Sequence, residues 1–353
     1  MNSNSVLIGL SGGVDSSVAA FLLQQENYTC IGCTMKLYCG NSPDNTADAQ
    51  SVADRMEIPF HVFDCQKEFH ETVIGDFIHS YESGCTPNPC IQCNKYLKFG
   101  AMLEKALSLG CHYVATGHYA QIRQDPETGR YLLCKAADRA KDQTYFLYSL
   151  TQHQLAHTLF PLGSLTKGEA REIAERRGFV TARKKDSQDI CFVPDGDYVS
   201  FMKEYTGKSY PQGSYLDLKG NVVGTHRGAV CYTLGQRKGL GIALGAPAYV
   251  CAKDMQRNTV TVGPNEALFH NALRADGMNW IPFPALQEPI RVTAKIRHSQ
   301  NEQPATVYPE DNNTVRVVFD APQRAITPGQ AVVFYQEDLV VGGGTITEAF
   351  TII

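Results

Sequence analysis

The segment Val6-Leu7-Ile8-Gly9-Leu10-Ser11-Gly12-Gly13-Val14-Asp15-Ser16-Ser17 constrains this chain more than any other. An apolar run, Val6 to Leu10, ends in two adjacent glycines flanked by hydroxyls, and an alanine- and leucine-rich segment, Val18 to Leu23, follows at once. The pattern predicts strand, tight turn and helix. Gly12 and Gly13 let the backbone turn sharply and leave its N–H groups uncovered. With the N-terminal end of the next helix, those amides form a concave site for an anion, most often a phosphate. Ser11, Ser16 and Ser17 add hydroxyl donors, and Asp15 is placed to hold a magnesium ion against the phosphate oxygens.

The loop is not a Walker A motif, which demands a lysine absent here, nor is it G-x-G-x-x-G. It resembles the S-G-G-x-D-S pyrophosphate loop of the ATP pyrophosphatase group. That resemblance implies cleavage of ATP between the α and β phosphates and activation of a substrate oxygen as its adenylate. A plain serine-glycine turn in an ordinary α/β protein is the alternative; it is disfavoured because strand and helix flank the loop where the motif needs them.

Strand-like and helix-like segments continue to alternate: Thr29 to Leu37 (strand), Thr46 to Met56 (helix), Pro59 to Cys65 (strand), then an amphipathic pattern from Gln66 to about Tyr81. Alternation of this kind predicts a parallel sheet with helices on both faces and ligands beyond the carboxyl ends of the strands. Met35 closes the second strand, where it can pack on an adenine. Cys111 to Thr116 reads as another strand, with Gly117-His118 as a tight exit near the nucleotide site. A hairpin is expected over 118–137, an aromatic helix after Lys141-Asp142-Gln143, and helices near His153 to Leu159 and Lys167 to Arg177. The basic residues Arg171, Arg176, Arg177, Arg183, Lys184 and Lys185 read either as a solvated face or as a track for an RNA backbone.

From about Gly207 helical periodicity gives way to short β-branched runs, including Ala229 to Thr233, Ala248 to Cys251, Thr259 to Val262, Ile290 to Ile296, Thr314 to Phe319 and Ala331 to Tyr335. They predict small β-barrels or sandwiches. A break near Asp276 to Pro284 divides this region, so the expected domains are 1–206, 207–275 and 276–353. A chain of 353 residues can carry such cores. Its formal charge of −4 gives no global hint of nucleic acid, so any RNA site must be local. The N-terminus shows neither signal peptide nor membrane span, so the twelve cysteines read as free thiols of a cytoplasmic protein.

Two of those cysteines stand out. Gly84-Cys85-Thr86-Pro87-Asn88-Pro89-Cys90-Ile91-Gln92-Cys93-Asn94-Lys95 is a proline-punctuated loop feeding a helix that starts close to Cys93. A thiol at a helix N-terminus, with Lys95 nearby, is expected to have a lowered pKa. Cys191 follows the polar run Asp186-Ser187-Gln188-Asp189.

S-G-G-V-D-S, T-P-N-P-x-x-x-C-N-K, A-T-G-H-Y, K-D-Q-x-Y-F-L-Y, K-K-D-S-x-x-I-C-F, G-Q-R-K-G-L and T-P-G-Q-x-V-V-F-Y occur in that order. Together they resemble the tRNA-specific 2-thiouridylase family over nearly the whole chain. The resemblance implies an N-terminal parallel-sheet, adenine nucleotide α-hydrolase-like pyrophosphate-loop domain followed by two small β domains. It also implies ATP-dependent replacement of the 2-oxygen of a wobble uridine by sulfur, in tRNAs for Lys, Glu and Gln. ATP would lie on Gly9, Leu10, Ser11, Gly12, Gly13, Val14, Asp15 and Ser16, with Met35 and Gly117. Cys191 would carry the sulfur as a persulfide, supplied by a sulfur-donor protein or cysteine desulfurase relay, and Cys93 would be the partner thiol. His118, Lys141, Asp142, Gln143, Arg297, His298 and Gln330 match positions that touch tRNA, and Asn88, Pro89 and Cys90 match the segment beside the target base.

The chemistry fits independently. A uridine carbonyl oxygen is a poor leaving group until adenylated, and a persulfide delivers sulfur as a tethered nucleophile while a second thiolate resolves it. The family commonly has aspartate where Cys90 stands, which creates Cys90-Ile91-Gln92-Cys93. With Cys191 this C-x-x-C could ligate zinc or three irons of a four-iron cluster, a metal alternative that stays open. Two rival readings are a pyrophosphate-loop amidotransferase or ligase, which needs neither cysteine, and a zinc-holding RNA-binding protein, which leaves the ATP loop unexplained.

Overall fold

The computed structural model describes residues 4–38, 46–179, 190–193, 195–243, 245–311 and 313–352. Among these, the first layer is a parallel sheet built from β1 (Ser5–Gly9), β2 (Thr29–Lys36), β3 (Phe60–Asp64) and β4 (Tyr113–Ala115). A hairpin, β5 (Gln121–Gln124) and β6 (Tyr131–Cys134), precedes the fifth parallel strand, β7 (Thr158–Leu159). The order β3-β2-β1-β4-β7 puts the apolar first strand at the centre. Its Val6, Leu7 and Ile8 are fully buried. The helix Val14–Gln25 covers one face with Val14, Val18, Ala19, Ala20 and Leu23, mostly small residues that let it lie close to the sheet. Because β2 and β3 extend to one side of β1 and β4 to the other, the direction of winding reverses between β1 and β4. The crevice beyond the carboxyl ends of those two strands is where a ligand is bound in such sheets.

Several sequence expectations are corrected. Helix Gln152–Ala156 stops early, and Thr158–Leu159 becomes a strand of the parallel sheet. After Lys141-Asp142-Gln143 there is only a single tight turn, Thr144–Phe146, in place of an aromatic helix. Ala229–Cys231 is a short helical turn and not a strand. The long amphipathic segment 66–82 does form, with a π-helical stretch, His70–Ile74, in its middle. Lys184, Lys185 and Asp186 to Asp189, with Arg183, lie outside the described residues.

The central β unit pairs β8 (Gly213–Leu216), β9 (Val222–His226), β10 (Tyr249–Asp254) and β11 (Thr259–Gly263) in the order β10-β11-β8-β9. The C-terminal unit runs β12 (Phe269–Trp280), β13 (Ile290–Lys295), β14 (Gln303–Pro309), β15 (Val315–Arg324), β16 (Ala331–Gln336) and β17 (Leu339–Phe350). Pairing of β12 with both β15 and β17 closes it into an antiparallel barrel without free edges. Strand β12 runs through residue 276, the position at which the sequence pattern breaks. The hairpin β5–β6 joins the barrel through Leu339 and Cys134, so N- and C-terminal parts share one sheet.

Candidate active site

Gly12 carries φ of +65°, and Gly13 is the extended N-cap of helix Val14–Gln25 with no side chain to cap it. The turn is tied internally: the Ser11 amide donates to Ser16 Oγ at 3.1 Å, and Ser17 Oγ donates to the Gly13 carbonyl at 2.9 Å. A helix start without a side-chain cap offers its amides to an anion. The second loop of the crevice arrives through Gly117. A Cβ there would stand 2.6 Å from both the Asp15 carbonyl carbon and the Ser16 nitrogen, so only glycine lets the two loops meet. Met35 lies next to the last residue of β2, packed partly against the core.

Asp15 is not bare. Both its oxygens accept from Lys167 Nζ, at 2.8 and 2.7 Å, and Oδ1 accepts from the Tyr119 hydroxyl at 2.9 Å. Lys167 is buried. It opens helix Lys167–Arg176 behind a capping box of Thr166 and Glu169, and its amide donates to Asp138 Oδ2 at 3.0 Å. Sequence reasoning missed this lysine. The capping box marks the helix start, but no local signal says that its first residue reaches across the fold to the nucleotide turn.

The cysteine segment differs from expectation. Its helix starts at Pro89 with Asn88 as N-cap, so Cys90 lies in the first turn and Cys93 a full turn inside. Cys93 is buried in a cluster with Cys65, Phe69, Phe77, Leu97 and Phe192. Burial pushes its pKa up to about 12, the reverse of the lowered value expected from a helix terminus. Lys95, the expected helper, sits over the Tyr96 ring at 5.1 Å. Lys98 takes its place. Residues Cys93–Ala101 are π-helical, and i to i+5 winding brings position 98 onto the side of position 93, which an α-helix would not do. Lys98 opposes the burial-driven rise at Cys90, Cys93 and Cys191 alike.

Cys191 is exposed, as is Cys90. Phe192 and Val193 root Cys191 in the cluster that buries Cys93. Cys93 feels the charge of both Cys191 and Cys90, and Cys191 that of Cys90, so the fold gathers all three. Among the described residues, no group of three or more His, Cys, Asp or Glu is arranged to hold a metal ion. As they stand, Cys90, Cys93 and Cys191 are not arranged as the ligands of an iron–sulfur cluster.

Most of the expected tRNA-facing side chains make contacts within the protein. His118 is buried, bonded to Thr116 Oγ1 at 2.7 Å and packed against Phe99; burial, then Lys98, holds its pKa well below the usual imidazole range. Gln143 Oε1 accepts from the Tyr119 amide, and Asp142 accepts from the Ala136 amide and the Thr144 hydroxyl. Arg297 donates to the Ala325 carbonyl and Thr327 Oγ1, and His298 lies 4.4 Å from the Phe146 ring. Gln330 donates to the carbonyls of Thr86 and Pro87, clamping the approach to the cysteine helix. Lys141 is half-buried beside them.

Family models match three consecutive parts: a tRNA methyl transferase HUP domain over residues 4–195, a tRNA methyl transferase PRC-barrel domain over 199–264, and an aminomethyltransferase beta-barrel domain over 270–346. The tRNA-specific 2-thiouridylase MnmA of Clostridioides difficile (strain 630) is 49% identical, with 98% of this chain and 99% of that protein aligned. That of Symbiobacterium thermophilum is 51% identical over 98% of this chain and 92% of its own length. The chain belongs to the tRNA-specific 2-thiouridylase MnmA family. A solved structure, U34-tRNA thiolase NcsA from Methanococcus maripaludis with its 4Fe-4S cluster, is a distant likeness at 18% identity and TM-score 0.36, covering 58% of this chain and 67% of that one. In this MnmA-family chain the central and C-terminal β units accordingly follow the nucleotide-binding layer without interruption. No described helix is long and apolar enough to cross a membrane.

Proposed function

We propose that the protein is a tRNA-uridine 2-sulfurtransferase that uses ATP to replace the 2-oxygen of a wobble uridine by sulfur. The observation that carries this reading is that the fold brings Cys191, rooted through Phe192 in the cluster that buries Cys93, within electrostatic reach of Cys93, with Lys98 acting on both. The turn from Gly9 to Ser16 holds the phosphates through its amides and hydroxyls. Magnesium, when bound with ATP, would neutralise phosphate charge, and Asp15 would hold it; Lys167, now paired with Asp15, is the cation positioned to turn to the phosphates. The uridine oxygen becomes an adenylate that departs as AMP, with pyrophosphate released. Cys191 brings the sulfur as a persulfide, and Cys93 attacks as the second thiol, its ionisation favoured by Lys98.

His118, next to Gly117 and buried under the charge of the same Lys98, is held as a neutral imidazole. Asn88, Pro89, Cys90, His118, Lys141, Asp142, Gln143, Arg297, His298 and Gln330 belong to this proposal as the tRNA-facing set, with wobble uridines of Lys, Glu and Gln acceptors as targets. A sulfur-donor protein or cysteine desulfurase relay charges Cys191, in the cytoplasm. A nitrogen-transferring ligase would need neither thiol. The test is mass spectrometry of tRNA hydrolysates from a strain lacking the gene and any second copy: loss of 2-thiouridine is expected, and normal levels overturn the reading.

A further inference from the structure

Sulfur delivered from a persulfide enters the product as a thiocarbonyl, two electrons more reduced than the terminal persulfide sulfur. The thiols supply those electrons, so Cys93 and Cys191 end the turnover joined as a disulfide. In that state Cys191 cannot be recharged, and the Cys93 sulfur is buried away from reductants.

Cys90 lies one turn before Cys93 on the same helix and is exposed. Residues three apart on a helical turn stand about 5 Å apart at Cα, inside the window a disulfide needs. Cys191 is held nearby because Phe192 packs edge-on against Phe69 and Phe77, at 5.6 and 5.2 Å, within the cluster that contains Cys93. Resting on the thiolation reading, we propose that Cys90 is a resolving thiol. Its thiolate attacks the Cys93 sulfur of the Cys93–Cys191 disulfide; the Cys90–Cys93 bond forms, the Cys93–Cys191 bond breaks, and Cys191 leaves as a thiolate that takes up a proton. The exchange involves no net oxidation, and the proton lost by Cys90 balances the one gained by Cys191. The disulfide moves from the sulfur-carrying residue to the C-x-x-C pair, whose outer sulfur faces solvent. A dithiol reductant then reduces the Cys90–Cys93 disulfide to two thiols and becomes a disulfide itself. Cys191 is recharged without waiting for that step.

The full-length protein, loaded on Cys191 by a cysteine desulfurase and freed of small thiols, is given Mg-ATP and unmodified tRNA, quenched with iodoacetamide and mapped without reduction. Wild type is expected to carry Cys90–Cys93 with Cys191 alkylated, and Cys90→Ser to retain Cys93–Cys191. With limiting dithiothreitol, the ratio of multiple- to single-turnover rate should fall about tenfold in Cys90→Ser and recover with excess reductant. The ratio is used because Cys90 also lies in the tRNA-facing segment, where weakened binding lowers both rates together. Thiolated tRNA accompanied only by Cys93–Cys191 in wild type, or an unchanged ratio, overturns the relay. Absence of thiolated tRNA from wild type overturns the thiolation reading instead. Oxidation of the tRNA-free protein with diamide then tests the exchange alone: Cys90–Cys93 supports it, and Cys93–Cys191 by itself refutes it.

Discussion

The nucleotide turn and the thiol cluster are built in opposite ways. The turn is made of contiguous residues whose hydrogen bonds, such as Ser11 to Ser16 and Ser17 to Gly13, close within a few positions. The thiols come from two separated segments, and their walls are helix 66–82, the 190–193 segment and the central β unit. A helix terminus shifts a thiol by only about 0.3–1 kcal/mol, whereas the rise of Cys93 from 9 to about 12 is on the order of 4 kcal/mol of burial. Burial wins, so the cysteine expected to be a ready thiolate is held as a thiol even with Lys98 acting on it. Polar sites made by local backbone keep the character their sequence implies; nucleophiles placed in a shared core take theirs from the surroundings.

The largest test of that contrast separates the two regions by mutation. Cys191→Ser or Cys93→Ser should lower thiolation by about a thousandfold or more while tRNA-dependent ATP–pyrophosphate exchange stays within a few-fold of wild type. A parallel loss of exchange would show that the regions do not act separately. Gly117→Ala should do the reverse. The added methyl strikes the Asp15–Ser16 backbone, raising KM for ATP by about ten- to a hundredfold and leaving the alkylation rates of the thiols unchanged.

Lys167→Ala should raise KM for ATP about tenfold and lower stability to urea by about 1–2 kcal/mol, since Asp15 loses its buried cation; Lys167→Arg should recover part of both. An unaltered KM would make the pair purely structural. The pH dependence sharpens the thiol side. Alkylation of Cys93 should climb about tenfold per pH unit from 7 past 9 without a plateau, and Lys98→Ala should slow it further at fixed pH. The sign for stability follows from the raised pKa. The fold binds the thiol proton more tightly than the unfolded chain does, so this contribution is intact below the ordinary thiol value of 9 and is lost as pH rises towards about 12. The urea midpoint should therefore fall above pH 9. The smallest effect belongs to Gln330→Ala, which removes the clamp on Thr86 and Pro87: about 1 kcal/mol of stability and faster hydrogen exchange at Cys85 and Thr86, with ATP binding intact.

Elements with a strong, self-contained period were legible. The first strand, the glycine turn, helix Val14–Gln25 and the alternating parallel layer follow from patterns that local sterics enforce. Segments whose partner lies far along the chain were not. Thr158–Leu159 is too short to show a strand period and is a strand only because β4 is there to pair with it. Ala229–Cys231 carries β-branched character, yet is a turn packed in the core beneath Tyr198 and Tyr232. In the candidate site, the uncapped glycine turn at the start of helix Val14–Gln25 was readable from residue type and motif. Lys98 was not, because its alignment with Cys93 depends on π-helical winding, and neither was the pairing of Lys167 with Asp15.

By itself, then, the amino-acid order determined the glycine turn between strand and helix and the layered architecture, since each rests on backbone sterics or periodicity. Tertiary structure alone decided which cation faces which anion and how acidic each thiol is. Those properties depend on distance and dielectric between residues remote in sequence, and only the packed fold sets either.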